Sequence, residues 1–236
     1  MTLQVRTQSH SIAGRSIELV LPADPEQGLH EALAAEAAGT VGCDPYWGLL
    51  WPAASQTAER ILNHEWPARL RALELGCGVG LTGIAALLAG HEVTFSDHAP
   101  SAVQMAQANA GRNGFSVVSG LVFEWQEPPE LRFDFLFASD VLYESASHAP
   151  LLLTLQAMLS PGGTVWIGDP GRAIAVPFIE QARSQGWQVD LRDELGLPPV
   201  DDQQLRFRLI VMTRREEAGR VLSVPDATSR SSAGLQ

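Results

Sequence analysis

Leu73-Glu74-Leu75-Gly76-Cys77-Gly78-Val79-Gly80-Leu81 is the stretch whose reading decides the fold. The apolar run Ala72–Leu75 before the glycines has the length of a buried strand, and Leu81–Ala89 after them has the pattern of a helix. Glycine at three alternate positions lets the main chain turn sharply and approach a ligand closely, while the free N–H groups of the helix start favour a negative group. Asp97 ends the next apolar run, 19 residues after Gly78. At the end of the second strand of a doubly wound sheet, an acid faces a ribose and can accept from both hydroxyls.

Outward from this loop the pattern alternates. Short apolar runs at Ala72–Leu75, Glu92–Phe95, Ser116–Val122, Phe133–Ala138, Thr164–Gly168, Trp187–Leu191 and Leu205–Thr213 are expected strands. Helical segments at Leu81–Ala89, Pro100–Asn113, Ala149–Leu159 and Ile174–Gln185 separate most of them. Such alternation implies an α/β fold, a mostly parallel, doubly wound sheet with helices on both faces. No helical segment separates the last two strands, which implies an antiparallel edge. Upstream, Leu3 to Leu21 alternates about Gly14-Arg15 as a hairpin does, and Gly28–Ala38 reads as a short helix. Pro52 suits the first turn of a helix running to about Asn63, with Trp51 non-helical before it. These readings divide the chain into a hairpin-and-helix extension (1–40), a main domain (41–213) and a polar, disordered tail (214–236).

Composition narrows the function. Of 236 residues 45% are apolar and 18% charged, enough to bury a sizeable core. Acidic residues outnumber basic ones 27 to 16, a net charge of −11, which argues against nucleic acid as the main partner. No run approaches the ~20 apolar residues needed to span a bilayer. Residues 1–10 lack a signal-peptide core. Cys43 and Cys77 are too few for a disulfide framework or a zinc cage, so neither metal nor oxidising compartment is expected and a cytoplasmic location is; a monomer is the default expectation. Cys77, inside the glycine loop, reads as a buried, inert thiol. All basic residues are arginine.

The glycines alone leave the cofactor open, because Gly78-Val79-Gly80-Leu81-Thr82-Gly83 also matches the dinucleotide fingerprint. Glu74 tilts the choice, since a charge is awkward in an apolar first strand. The segment resembles the Glu-x-Gly-x-Gly-x-Gly loop of S-adenosylmethionine-dependent methyltransferases, where such a carboxylate orders the loop and opposes the cationic end of the cofactor. In Phe123-Glu124-Trp125, Glu124 is placed to accept from an adenine amine with the Trp125 indole beside the ring; an exposed acid and a core tryptophan fit equally well. The fourth strand ends in Ser139-Asp140-Val141-Leu142-Tyr143, which puts Asp140 and Tyr143 in the same crevice. A carboxylate beside a phenol suits a cation, although Asp140 also suits a helix N-cap.

Asp140-Val141-Leu142-Tyr143 resembles the Asp-x-x-Tyr motif of the seven-β-strand protein-lysine methyltransferases, which have the class I, Rossmann-like fold. Asp44-Pro-Tyr-Trp-Gly-Leu-Leu-Trp-Pro-Ala-Ala54 resembles their Trp-Pro segment. With Gly168-Asp169-Pro170-Gly171-Arg172 added, the chain is most similar to the electron transfer flavoprotein β-subunit lysine methyltransferases over about residues 40–213. The resemblance implies S-adenosylmethionine as cofactor, held by Glu74, Gly76, Gly78, Gly80, Asp97, Glu124, Trp125, Trp51 and Asp140. It further implies a protein substrate, the electron transfer flavoprotein β subunit, met by Trp47, Asp169 and Arg172, with Asp140 and Tyr143 aiming the lysine and the proton leaving to water. Glu124 departs from the pattern, since many relatives carry Asp there. Competing readings are a class I methyltransferase for a small molecule or another side chain, and a nicotinamide-dependent oxidoreductase. The absence of lysine, and hence of any Tyr-x-x-x-Lys pair, counts against the last.

Overall fold

The computed structural model describes residues 4–24, 46–199 and 206–214. In chain order its elements are β1 (Val5–Ile12), β2 (Arg15–Pro22), α1 (Pro52–Asn63), β3 (Arg71–Leu75), α2 (Leu81–Leu88), β4 (Glu92–Asp97), α3 (Pro100–Arg112), β5 (Ser119–Val122), β6 (Phe133–Ser139), α4 (His148–Met158), β7 (Leu159–Asp169), α5 (Ala175–Ser184), β8 (Trp187–Arg192) and β9 (Arg208–Arg214). The expected helix at 28–38, Cys43 and the tail beyond Arg214 lie outside the described residues.

β3 shows why the sheet is covered on both sides. Side chains alternate along a strand, and here Ala72 joins the core under α1, α2 and α3, while Leu73 and Leu75 join the core under α4 and α5. Four of its five residues are buried. The seven strands lie in the order β5-β4-β3-β6-β7-β9-β8, with β3 central and its pairings to β4 and β6 parallel. The order reverses at β3, so the crevice at the carboxyl ends of β3, β4 and β6 is where a ligand of this fold class sits. β9 runs antiparallel to both β7 and β8. The helix-less terminal pair thus forms the antiparallel edge, with the reversed strand one place in from the rim.

Three strands differ most from expectation in extent, β9 among them, which opens at Arg208 rather than Leu205. β5 starts at Ser119 rather than Ser116, because it has only the last four residues of β4 to pair with. β7 begins at Leu159, and Pro161-Gly162-Gly163 passes within the strand beside a register shift at Phe133/Phe135. The hairpin forms as expected, eight residues on each arm, turning at Ala13-Gly14. Ile17, Leu19 and Leu21 of β2 are buried in the core shared with α1, α2 and α3. Pro52 opens α1, and Trp51 before it is extended (φ −80°, ψ 151°).

Candidate active site

The glycine loop joins β3 to α2 at the centre of the sheet. Gly78 has φ +50°, and a Cβ there would lie 3.0 Å from the Trp47 carbonyl oxygen, so glycine is needed for both conformation and space. Gly80, at φ +88°, also serves packing: a Cβ would lie 2.8 Å from Ala106 Cβ on α3. Asp97 closes the loop from β4. Its Oδ2 accepts from Gly78 N at 3.1 Å and its Oδ1 from Ala99 N at 3.0 Å. Glu74 is buried, and its Oε2 accepts from Gly83 N at 3.1 Å in the first turn of α2. That bond satisfies an otherwise orphaned helix donor. Burial drives the Glu74 carboxyl well above its ordinary range, the Gly83 N–H opposing and the Asp97 charge adding. Cys77 is a buried free thiol pushed up by burial and then by the Asp97 and Glu74 charges, the inert sulfur that its position implies.

A roof covers the loop. The turn Tyr46–Gly48 carries Trp47 over Gly78, and Trp51 Nε1 donates to the Tyr46 carbonyl at 3.0 Å. The Tyr46 ring centroid lies 6.1 Å from that of Trp51 and 6.0 Å from that of Tyr143, so three aromatic rings gather at the mouth.

Asp140 faces this mouth from the end of β6, in a left-handed conformation (φ +62°) and 4% exposed. Its Oδ2 accepts from Ala53 N at 2.7 Å, so it does cap a helix, but α1 rather than the one that follows it. Arg172 Nη2 stands 2.7 Å from Oδ1, the length of a charge-assisted ion pair. Desolvation raises the Asp140 carboxyl, against the Ala53 N–H and the Arg172 charge. Behind it, the buried Asp169 accepts from Arg172 N at 2.7 Å, with Arg172 Nη1 3.4 Å from its Oδ2. Arg208, buried on β9 opposite Asp169, donates from Nη2 to the Arg172 carbonyl at 3.4 Å. Two carboxylates and two guanidinium groups thus balance in charge beneath the mouth.

Glu74, Gly76, Gly78, Asp97, Trp47, Trp51, Trp125, Asp140 and Tyr143 line one cleft. Glu124 is exposed and outside the lining, Gly80 lies beneath it, and Asp169 and Arg172 stand behind Asp140. Tyr46, Thr82, His98 and Ser139 also line it and are absent from the sequence reading. Position alone would have offered Tyr46, adjacent to Trp47, and Ser139, adjacent to Asp140. Thr82 Oγ1 lies 3.3 Å from Ser139 Oγ, tying the start of α2 to the end of β6 in the floor.

These residues fit S-adenosylmethionine. Asp97 at the strand end suits a ribose, the Trp125 indole a flat base, and the buried Glu74 carboxyl beneath the glycine loop a positive group in the cleft. Strand order and cleft together define the class I methyltransferase fold. The profile of the lysine methyltransferase family matches residues 43–175, and the chain belongs to that family. It is 34% identical to the electron transfer flavoprotein β-subunit lysine methyltransferase of Danio rerio and 33% identical to that of Mus musculus, each over 55% of this chain and 52% of the relative. The chain therefore spans about half the length of these curated relatives. A 16S rRNA methyltransferase from T. thermophilus, solved with S-adenosylmethionine and guanosine, superposes with TM-score 0.63 over 91% of this chain and 52% of that one at 17% identity. A ribosomal protein L11 methylase from Lactobacillus delbrueckii superposes with TM-score 0.55 over 69% and 79% at 21% identity. At such identities these structures speak for the fold. The family match sets aside the nicotinamide-dependent oxidoreductase. Among the described residues no helix is long and apolar enough to cross a membrane.

Proposed function

We propose that this chain transfers a methyl group from S-adenosylmethionine to the ε-amine of a protein lysine, as a monomer in the cytoplasm. The electron transfer flavoprotein β subunit, named for the similar animal enzymes, is the substrate to try first. The observation that carries the reading is the meeting of the glycine loop and Asp140 in one cleft beneath aromatic rings.

The cofactor supplies an activated methyl group; the protein's task is to align the amine with it, which contributes a large share of such rate enhancements. Tyr46, Trp51 and Tyr143 offer π-faces that suit the stem and charge of a lysine. Tyr143, 49% exposed, reaches from cleft to solvent, where a protein surface would approach. Asp140, which lines the cleft, orients the amine. It is no general base: Arg172 partly neutralises it and a second oxygen holds α1. A lysine amine titrates near ~10.4, and its proton leaves to water along the open mouth. Asp169 and Arg172 support the site by holding Asp140, and the sequence expectation of direct substrate contact becomes this indirect role. The net charge of −11 favours approach of a lysine-bearing surface.

The test is incubation with radiolabelled S-adenosylmethionine and the flavoprotein subunit. Label in a lysine of that protein, lost in Asp140→Asn while cofactor binding persists, is the expected result. Label entering small metabolites or arginine instead removes the lysine assignment.

A further inference from the structure

The N-terminal hairpin has no part in the chemistry above, yet it is wired to the glycine loop. β1 satisfies one edge of β2. On the other edge the N–H and C=O groups of Glu18 and Val20 point at α3, and a strand edge left so needs partners. Two asparagines provide them. Asn113 Oδ1 accepts from Glu18 N at 3.0 Å while its Nδ2 donates to Glu18 O at 2.7 Å. Asn109 Oδ1 accepts from Val20 N at 2.8 Å while its Nδ2 donates to Val20 O at 3.0 Å. Each side-chain amide imitates the neighbouring strand. The spacing works because four residues along a helix and two along a strand both cover about 6 to 7 Å.

The second hydrogen of each amide separates the pair. On Asn113 it goes to the Asn109 carbonyl at 2.8 Å, within α3. On Asn109 it goes to the Val79 carbonyl at 2.9 Å, between Gly78 and Gly80. Asn109 is fully buried, so no water substitutes for a lost bond. The hairpin also reaches the roof: a Cβ on Gly48 would lie 2.9 Å from Pro22 Cγ at the end of β2.

We propose that Asn109 is a positioning residue through which the hairpin holds the glycine loop in its cofactor-binding form. This rests on the reading of that loop as the S-adenosylmethionine site. Hairpin docking and cofactor binding are then coupled, and the coupling runs through Asn109 and not Asn113.

The matched pair Asn109→Asp and Asn113→Asp in the full chain tests it, because both remove amide donation to β2 and only the first removes the bond to Val79. Calorimetry with S-adenosylhomocysteine should give a Kd raised about tenfold in Asn109→Asp, the equilibrium worth of one buried hydrogen bond. In Asn113→Asp it should stay within about twofold, although both variants melt earlier. At saturating cofactor, kcat of Asn109→Asp should approach that of the unsubstituted enzyme. Equal Kd values in the two variants overturn the proposal. Should Asn109→Asp not fold, hydrogen exchange on the unsubstituted chain decides: saturating S-adenosylhomocysteine should slow the Val20 amide more than the Glu18 amide, and an equal response overturns it. Failure of the unsubstituted chain to bind S-adenosylhomocysteine at all removes the site reading and this inference together.

Discussion

The two halves of the cleft hold their carboxylates by different means. On the β3–β4 side, Glu74 and Asp97 accept from backbone N–H groups of Gly83, Gly78 and Ala99, and His98 Nδ1 stands 3.4 Å from Asp97 Oδ1. On the β6–β7 side, Asp140 and Asp169 each accept from one backbone N–H, of Ala53 and of Arg172, and are held in addition by the Arg172 guanidinium, with Arg208 behind. Backbone donors fix a carboxylate without neutralising it, which suits the half that would face a cationic cofactor. Guanidinium groups fix and neutralise together, which suits a half that must aim an amine without trapping it as an ammonium, since a bare carboxylate would favour the charged form. The same residue type thus serves as an electrostatic element on one side and as a scaffold on the other.

The largest effect should come from the one carboxylate that reaches the acceptor. Asp140→Asn keeps an acceptor for Ala53 N and tolerates the left-handed backbone, but loses the charge facing Arg172. Methyl transfer should fall about 100-fold or more, the scale of a misaligned reacting group, with calorimetric cofactor affinity little changed. Equal losses of transfer and cofactor affinity would show that the halves are not separate. Next, Arg172→Met leaves two buried carboxylates without their shared cation. Breaking a buried pair costs about 3–5 kcal/mol, and the expected loss in urea unfolding lies at the low end because the Arg172 side chain keeps 24% of its surface exposed. Unchanged stability would mean that the guanidinium is no brace.

The contrast also explains what could be read beforehand. The glycine-loop half was legible because its partners are close in sequence: nine residues separate Glu74 from Gly83, and 19 separate Gly78 from Asp97. A strand–loop–helix unit fixes such distances, so spacing alone carries the geometry. The acceptor half is assembled across the fold. Asp140 reaches Ala53 over 87 positions, and Arg208 reaches Arg172 over 36. Nothing local distinguishes Arg208 from another polar residue of a terminal strand, and nothing in Asp169-Pro170-Gly171-Arg172 says whether its charges face a substrate or each other. The hairpin was readable from its own alternation, but its contact with Val79 depends on how α3 packs. The Asp140 helix cap was foreseeable in kind; the helix it caps was not.

A smaller effect probes Gly83, which the sequence shows only as the last glycine of the dinucleotide fingerprint. A Cβ at Gly83 would lie 2.3 Å from Phe95 Cε1 and 2.4 Å from Glu74 Oε2. Gly83→Ala gains helix propensity of about 1 kcal/mol but forces a buried ring and carboxylate to shift, typically costing about 1–3 kcal/mol. Net destabilisation in urea unfolding, with weakened cofactor binding, is expected; a more stable variant would show that Glu74 has room to move and is not set by the helix start.

Glu74→Gln is the finest test, because it separates the carboxylate's service to the fold from its service to the cofactor. Burial raises the Glu74 carboxyl in the folded chain, so the folded state binds its proton more tightly than the unfolded state. The stability that goes with that proton is complete below the ordinary carboxylate range and is lost as pH climbs from there towards the raised folded value. Wherever the pH ionises Glu74, its charge is therefore a burden on the fold, which the Gly83 N–H only partly relieves. Glutamine still accepts from Gly83 N and carries no charge. The variant should melt a few degrees higher than the unsubstituted chain at pH 8, and its stability should fall less between pH 5 and pH 8. Cofactor affinity should drop at the same time, because the positive group loses its counter-charge. A variant that melts no higher at pH 8 would mean that the loop stabilises the carboxylate fully, and the asymmetry between the two halves would then lie only in which groups donate.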